Sequence, residues 1–384
     1  MINELTINQP IAEKIRELTN EGKSPFYIYD TKIIEKNCHH FTGIPYHPKS
    51  VHFAMMANSH PGFLKIIKQA GLKIFVNSVL HLRLALDMGY KGSEIIYASS
   101  AMDEKSMFLV KESGAKLVLD SLSQFELWQS LFPGTSVGIR CNTGDAVIPR
   151  QTTGGCFIGN ESRLGLTPDA LIQFKENPFI DGLHMYVGTN ISEIDYFMEC
   201  YQQLVKMAEW LPNIEYIDFG GGFGQGEKHC SAFDMEEYSQ KVTAIMENVS
   251  SRLGKQIRLI LEPGRMIGFD AGYFVCKITD IKHRNQQQLI GVNASCVQFP
   301  RPMLYPDVAF HPVAIIHQNQ IENTEPIPSS IYGCSTYSRD YLAQGIELPP
   351  SEPGDIVILG HAGSYCSSAH SDFLGFPKAE EFFI

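Results

Sequence analysis

From residue 50 onward the chain alternates short runs rich in β-branched and aromatic residues with longer stretches of helical periodicity. The runs are Val51–Met56, Lys73–Ser78, Glu94–Ser99, Lys116–Ser121, Ser136–Asn142, Gly182–Gly188, Ile214–Gly220 and Arg258–Glu262. The first four recur at roughly 20–22 residues, the length of one strand, one helix and two loops. Near-continuous apolar strands that alternate with helices predict a parallel sheet covered on its other face. Eight such units predict a closed (β/α)8 TIM-like barrel rather than an open sheet.

The intervening segments support helices. Pro61–Ala70 follows Asn58-Ser59, a cap candidate, and stops at Gly71. Ile194–Leu211 and Met235–Leu253 place apolar residues three and four apart. After Gly264 the texture changes. Tyr273–Ile281, Leu289–Asn293, Val313–Gln318, Ser330–Gly333 and Asp355–Leu359 read as strands separated by turn-forming and proline-rich stretches. This outlines a C-terminal antiparallel β domain. The isolated N-terminal strand Pro25–Asp30 has no parallel partner of its own and is assigned to that domain. The division is a barrel over 31–265 and a β domain from 1–30 and 266–384.

A net charge of −11 argues against an extended nucleic-acid or anionic-membrane surface. No apolar run reaches membrane-span length, and Met1–Pro10 has no charged-then-apolar leader. The nine cysteines, Cys230 among them, are scattered without a CxxC pair. Reduced thiols in a cytoplasm follow as the expectation.

Barrel chemistry collects at the C-terminal ends of strands. The seventh run ends in Asp218-Phe219-Gly220-Gly221-Gly222-Phe223-Gly224. Consecutive glycines let backbone N–H groups approach an anion, which at a strand end points to phosphate; a plain turn is the alternative. The eighth ends in Glu262-Pro263-Gly264-Arg265. Glu262 suits a ring nitrogen, and Arg265 a phosphate or carboxylate, against the plainer reading of a structural pair. The sixth ends in His184-Met185-Tyr186-Val187-Gly188-Thr189, with His184 and Tyr186 on one side of the strand and Thr189 placed to bond a phosphate. The loops Gly333–Asp340 and Gly363-Ser364-Tyr365 are rich in hydroxyls, and alone they read as turns.

Together, Phe53-Ala54-Met55-Met56-Ala57-Asn58, Ser162-Arg163-Leu164-Gly165, Gly220-Gly221-Gly222-Phe223, Glu262-Pro263-Gly264-Arg265 and Gly363-Ser364-Tyr365 resemble the fold-type III (alanine-racemase-like) pyridoxal-phosphate amino-acid decarboxylases. The resemblance leans toward the carboxynorspermidine, diaminopimelate and siderophore-pathway branch. It implies a phosphate cup of Thr189, Gly220, Gly221, Gly222, Arg265 and Tyr365, and a ring-nitrogen carboxylate at Glu262. It also implies substrate-binding roles for Arg140 and, across a dimer interface, Asp340. Five positions on the reactive side depart from the family pattern. Met56 stands where the family's lysine carries the cofactor as a Schiff base. Tyr186 stands where a histidine stacks on the ring, and Thr336 where a catalytic cysteine is usual. Phe75 and His81 replace two acids of the second strand.

A thioether forms no imine and moves no proton. The implied protein is a divergent homologue that binds pyridoxal phosphate non-covalently, or another anionic or amino-acid-like ligand, with altered or lost decarboxylase chemistry. Its setting would be amine or amino-acid-derived metabolite biosynthesis, as a homodimer with shared sites or a heterodimer with a paralogue. Within that reading Tyr186, His81 and His184 are the acid or base candidates. Two alternatives stay open: a non-catalytic regulator of an active paralogue, with no cofactor of its own, and a working carboxy-lyase using another lysine. Lys65 and Lys68 are nearest in sequence, and both should point away from the barrel mouth.

Overall fold

A computed structural model describes residues 5–150, 155–225, 232–319 and 325–384. Cys230 and the first four residues lie outside them. The chain divides into two compact units: residues up to 34 together with those from 266 onward, and the segment between.

Strand β1 (Phe26–Tyr29) belongs to the first unit. Strands β2 (Lys49–Ala54), β3 (Lys73–Val76), β4 (Ile95–Ala98), β5 (Lys116–Leu119), β6 (Val137–Arg140), β7 (Ile180–His184), β8 (Tyr216–Asp218) and β9 (Arg258–Leu261) form the second. They close a parallel barrel in sequence order, β9 pairing β2 through Ser50 opposite Ile260. The inner layer is Ala54, Phe75, Ile96, Ala98, Val118, Tyr216 and Ile260, with Met56 packed against it. Gly138 and Gly182 make room for Tyr216; a Cβ on Gly182 would stand 1.9 Å from its Cζ. The connecting helices bury one face. Met235–Leu253 starts at Asp234, whose carboxylate accepts the Glu236 and Glu237 N–H groups, and ends at left-handed Gly254. The helix Pro61–Gln69 is capped by His60, not by Asn58 or Ser59: His60 Nδ1 accepts the Gly62 N–H.

The first unit continues with β10 (Gly272–Arg284), β11 (Gln287–Val292), β12 (Val313–Ile316), β13 (Ile327–Tyr332), β14 (Tyr341–Leu348), β15 (Ile356–Leu359) and β16 (Glu380–Phe383). Their order is β12-β15-β10-β11-β13-β14, and β1 joins through β10 and β16. Pairing is mainly antiparallel, with parallel pairs β1–β16 and β11–β13. The N-terminal strand is therefore part of this sheet. The helix Gln9–Asn20 covers it, packing Ile11, Ile15 and Leu18 on Phe26, Ile28, Val275 and Ile358. The described cysteines are all free thiols. No helix among the described residues is long and apolar enough to cross a membrane.

Candidate functional site

The C-terminal ends of the barrel strands are zipped beyond the strands by backbone bonds. Ala54 N–H reaches Pro263 O at 3.0 Å, Met185 N–H reaches Asp218 O at 2.9 Å, and Glu262 N–H reaches Gly220 O at 2.7 Å. These bonds fix the loops carrying the reactive side chains. Gly220 takes a φ of +63°, and a Cβ there would sit 2.5 Å from Met185 O. A Cβ on Gly221 would sit 2.3 Å from Glu262 O. Both positions require glycine for backbone approach alone. Among the described residues, the Gly221 and Gly222 N–H groups donate to nothing. Beside them the Tyr186 and Thr189 hydroxyls hydrogen-bond at 2.8 Å.

Register brings three polar residues side by side: Arg140 pairs with His184 across β6–β7, and His184 with Asp218 across β7–β8. Glu262 follows the end of β9. His184 Nε2 lies 3.2 Å from Glu262 Oε2, and both residues are buried. Burial lowers His184 to about 4. At neutral pH the imidazole is therefore uncharged, and the contact is a hydrogen bond rather than an ion pair. Burial raises Glu262 to about 8, against the pull of Asp218 and Arg140. Burial and the nearby Glu262 push Asp218 well above the carboxylate range. One Asp218 oxygen accepts the Gly220 N–H at 2.9 Å. Desolvation also lowers Arg140, while Asp120, Glu262 and Tyr186 hold its charge. Burial raises Tyr186, with Thr189 and Arg265 opposing.

Met56 lies not on β2 but in the 3-10 turn Met55–Ala57 that follows it, half-buried against the inner layer. Tyr186 likewise lies beyond β7, which stops at His184. Phe75 stacks on His184. His81 opens the helix after β3 and donates its N–H to Ser78 Oγ. Its Nδ1 is enclosed without a hydrogen-bond partner among the described residues, and burial depresses its basicity. Lys65 is exposed, and Lys68 Nζ donates to Met88 O and Gly89 O over the Tyr90 ring.

Met56, His81, Arg140, His184, Tyr186, Thr189, Gly220–Gly222, Glu262 and Arg265 thus share one end of the barrel. Thr336, Asp340 and Tyr365 belong to the other unit. Thr336 is exposed. The Asp340 carboxylate turns into its own loop, accepting the Cys296 N–H at 2.6 Å, the Ser335 N–H at 3.0 Å and the Ser335 hydroxyl. Sequence reasoning quoted Asp218 only as the lead-in to the glycines. An acid leaving an apolar strand was the same signal that singled out Glu262.

Residues 31–268 match the family described as "Pyridoxal-dependent decarboxylase, pyridoxal binding domain". A diaminopimelate decarboxylase of Methanothermobacter thermautotrophicus is 25% identical over 96% of this chain and 88% of its own length. Its counterpart in Escherichia coli K12 is 24% identical over 96% of this chain and 91% of its own length. Among solved structures, Helicobacter pylori diaminopimelate decarboxylase complexed with L-lysine superposes with a TM-score of 0.84 at 21% identity, covering 96% of this chain and 93% of that one. Vibrio vulnificus lysine/ornithine decarboxylase complexed with putrescine gives 0.83 at 19% identity, covering 99% of each chain. The chain belongs to the pyridoxal-dependent decarboxylase family.

Proposed function

We propose that this protein binds pyridoxal phosphate, or a similar anionic and amino-acid-like ligand, without a covalent bond, and that its decarboxylase chemistry is altered or lost. The observation that carries the reading is Met56. It occupies the turn after β2 that in sequence stands where the family has its lysine, and it packs on an apolar layer. The opposite side of the mouth keeps its polar groups. The undonated Gly221 and Gly222 amides, with Thr189 and Arg265, fit a phosphate. Glu262, whose Oε1 has no hydrogen-bond partner among the described residues, fits a ring nitrogen. Arg140 suits a ligand carboxylate. The residues therefore fit the group everywhere except at its covalent anchor.

When bound, pyridoxal phosphate supplies an electron-withdrawing ring that stabilises the negative charge left by departing carbon dioxide. The chain's own residues hold, orient and shield. Met56 and Phe75 exclude water from the inner side and offer neither an amine nor an acid. Tyr186 presents a ring where the family places an imidazole. Thr336 carries a hydroxyl that does not serve as a general acid at neutral pH. Lys68 is held by two carbonyls, which speaks against a substitute anchor there.

The test is titration with pyridoxal phosphate, with and without borohydride, followed by absorbance and intact mass. Saturable binding with no mass increment supports the reading. A reducible adduct on a lysine overturns it in favour of a working carboxy-lyase. No binding overturns it in favour of a protein acting through a partner chain.

A further inference from the structure

The glycine loop and the ligand-facing arginines leave one cluster unexplained. Asp218, Glu262 and His184 place their ligating atoms within 4.8 Å of one another, all buried. Asp218 Oδ2 and Glu262 Oε1 have no hydrogen-bond donor among the described residues. Two buried carboxylates at this separation repel strongly, and each lacks the hydration that would stabilise its charge. A proton retained on the pair removes the repulsion.

We infer that Asp218 and Glu262 act as one coupled acid, a buried carboxyl pair that keeps a proton at neutral pH and presents it through Glu262 to a ligand's ring nitrogen, with His184 as the positioning residue. The first part stands on the geometry. The ligand's part rests on the proposed function above.

Donors assign the roles within the pair. Asp218 Oδ1 is fixed by the Gly220 N–H, which leaves Oδ2 as the oxygen without a donor among the described residues. Glu262 Oε2 is hydrogen-bonded to His184 Nε2. A neutral imidazole donating from Nε2 leaves Nδ1 as a bare acceptor, which matches its lack of any donor among the described residues. The other charged or titratable groups acting on the pair are Arg140 from β6, Tyr186 beyond β7, Tyr216 from β8, Tyr201 from the helix Ile194–Ala208 and Tyr238 from the helix Met235–Leu253. Asp120 from β5 acts on His184 and Arg140, and Arg265 acts on Tyr186 beyond β7. Arg140 favours the ionised form, and the pair's separation from water opposes it. The pair therefore titrates as a unit rather than as two independent acids. For a ligand the consequence is that the nitrogen meets a proton already inside the barrel, so none is drawn from water on binding.

The experiment is infrared spectroscopy of the ligand-free, full-length protein labelled with carboxyl-13C aspartate or glutamate, taken across pH. At neutral pH an un-ionised carboxyl carrying the label is expected, with ionisation of glutamate character as pH rises through about 8. Asp218→Asn keeps the acceptor for Gly220 and supplies an N–H to Glu262. Glu262→Gln does the reverse. Glu262→Gln should move the Asp218 ionisation down by about one pH unit or more, because the like charge is gone, whereas Asp218→Asn, which keeps a donor toward Glu262, should leave the Glu262 ionisation near its starting value. His184→Leu should move the Glu262 ionisation up, and His184→Gln, which retains a donor, should restore it. A purely structural histidine would show no such rescue.

Absence of any un-ionised carboxyl at neutral pH overturns the inference. So does an Asp218 ionisation that is unchanged in Glu262→Gln. A stoichiometric divalent metal in the purified protein would also overturn it, since both carboxylates would then be ionised ligands. Failure of pyridoxal phosphate to bind would leave these spectra intact and would count against the proposed function alone.

Discussion

Phe75 lies parallel to His184, with ring centroids 6.2 Å apart and planes inclined by 7°. The stack joins the apolar layer of the barrel to its polar mouth. It helps seal His184 from water and so keeps the imidazole neutral. Phe75→Ala should destabilise the barrel by about 3 kcal/mol through the cavity it leaves. It should also move His184 from about 4 toward its ordinary 6.5. Urea unfolding reads the first effect and histidine-selective NMR titration the second. A destabilised barrel with an unmoved His184 would show that the strand, not Phe75, excludes water.

Met56→Lys places an amine against the apolar inner layer on which Met56 packs. Such surroundings disfavour the ammonium, so more of the amine is free to react at neutral pH. The variant should acquire a borohydride-stable pyridoxal phosphate adduct by intact mass. Turnover should stay low, because Phe75 and Thr336 remain unchanged. Strong decarboxylation by this single variant would show that those two positions matter little.

Gly182 faces the Tyr216 ring so closely that a Cβ there would stand 1.9 Å from its Cζ. Gly182→Ala should cost about 3 kcal/mol, since the ring has nowhere to shift. In a Tyr216→Leu background the same change should cost about 1–2 kcal/mol less. A double-mutant cycle by chemical denaturation measures the difference. Zero coupling would place the strain in the strand backbone instead.

Asp340→Ala removes a buried acceptor shared by the Cys296 and Ser335 N–H groups and the Ser335 hydroxyl. The expected loss is about 3 kcal/mol in the β-rich unit. Affinity of the surviving folded protein for an amino-acid ligand should be unchanged. A large affinity loss with little effect on stability would return Asp340 to the ligand-recognition role implied by resemblance.

Much of the barrel was legible because strands such as Lys73–Val76 and Ile95–Ala98 are buried on both faces and read as unbroken apolar runs. Their ends were less legible. Ladder bonds cease where the chain turns away, so Met56 and Tyr186 fell just outside strands that the apolar pattern had extended to include them. Tyr341–Leu348 and Glu380–Phe383 escaped notice because both lie at sheet margins and expose part of each strand, which dilutes the apolar signal. Gln9–Asn20 carries Ile11, Ile15 and Leu18 at helical spacing, yet its polar composition hid them. At the mouth, strand-end chemistry was enough to pick out Glu262 and His184. Their junction with Asp218 depends on the register of adjacent barrel strands, which no single segment encodes.

The buried titratable groups of the barrel give it a distinctive pH response. His52 and His184 are lowered by burial to about 3 and about 4. Below the ordinary 6.5 the unfolded chain binds protons there that the folded chain does not. Their contribution is therefore complete above 6.5 and is lost as pH falls, at up to about 1.4 kcal/mol per unit for each. His81, also depressed and half-buried, adds a smaller term of the same sign. Glu262 and Asp218 act oppositely. Their folded values lie above the unfolded ones, so their contribution is complete below the ordinary carboxylate range and is lost as pH rises toward about 8. Between about 4.5 and 6.5 the two sets nearly cancel. Above 6.5 only the acids still change the balance, and stability should fall. The unfolding midpoint in urea should be higher at pH 6 than at pH 8, and Glu262→Gln should flatten that alkaline decline. A midpoint that rises from pH 6 to pH 8 would mean that Arg140 keeps both carboxylates ionised, and the shared proton would have to be abandoned.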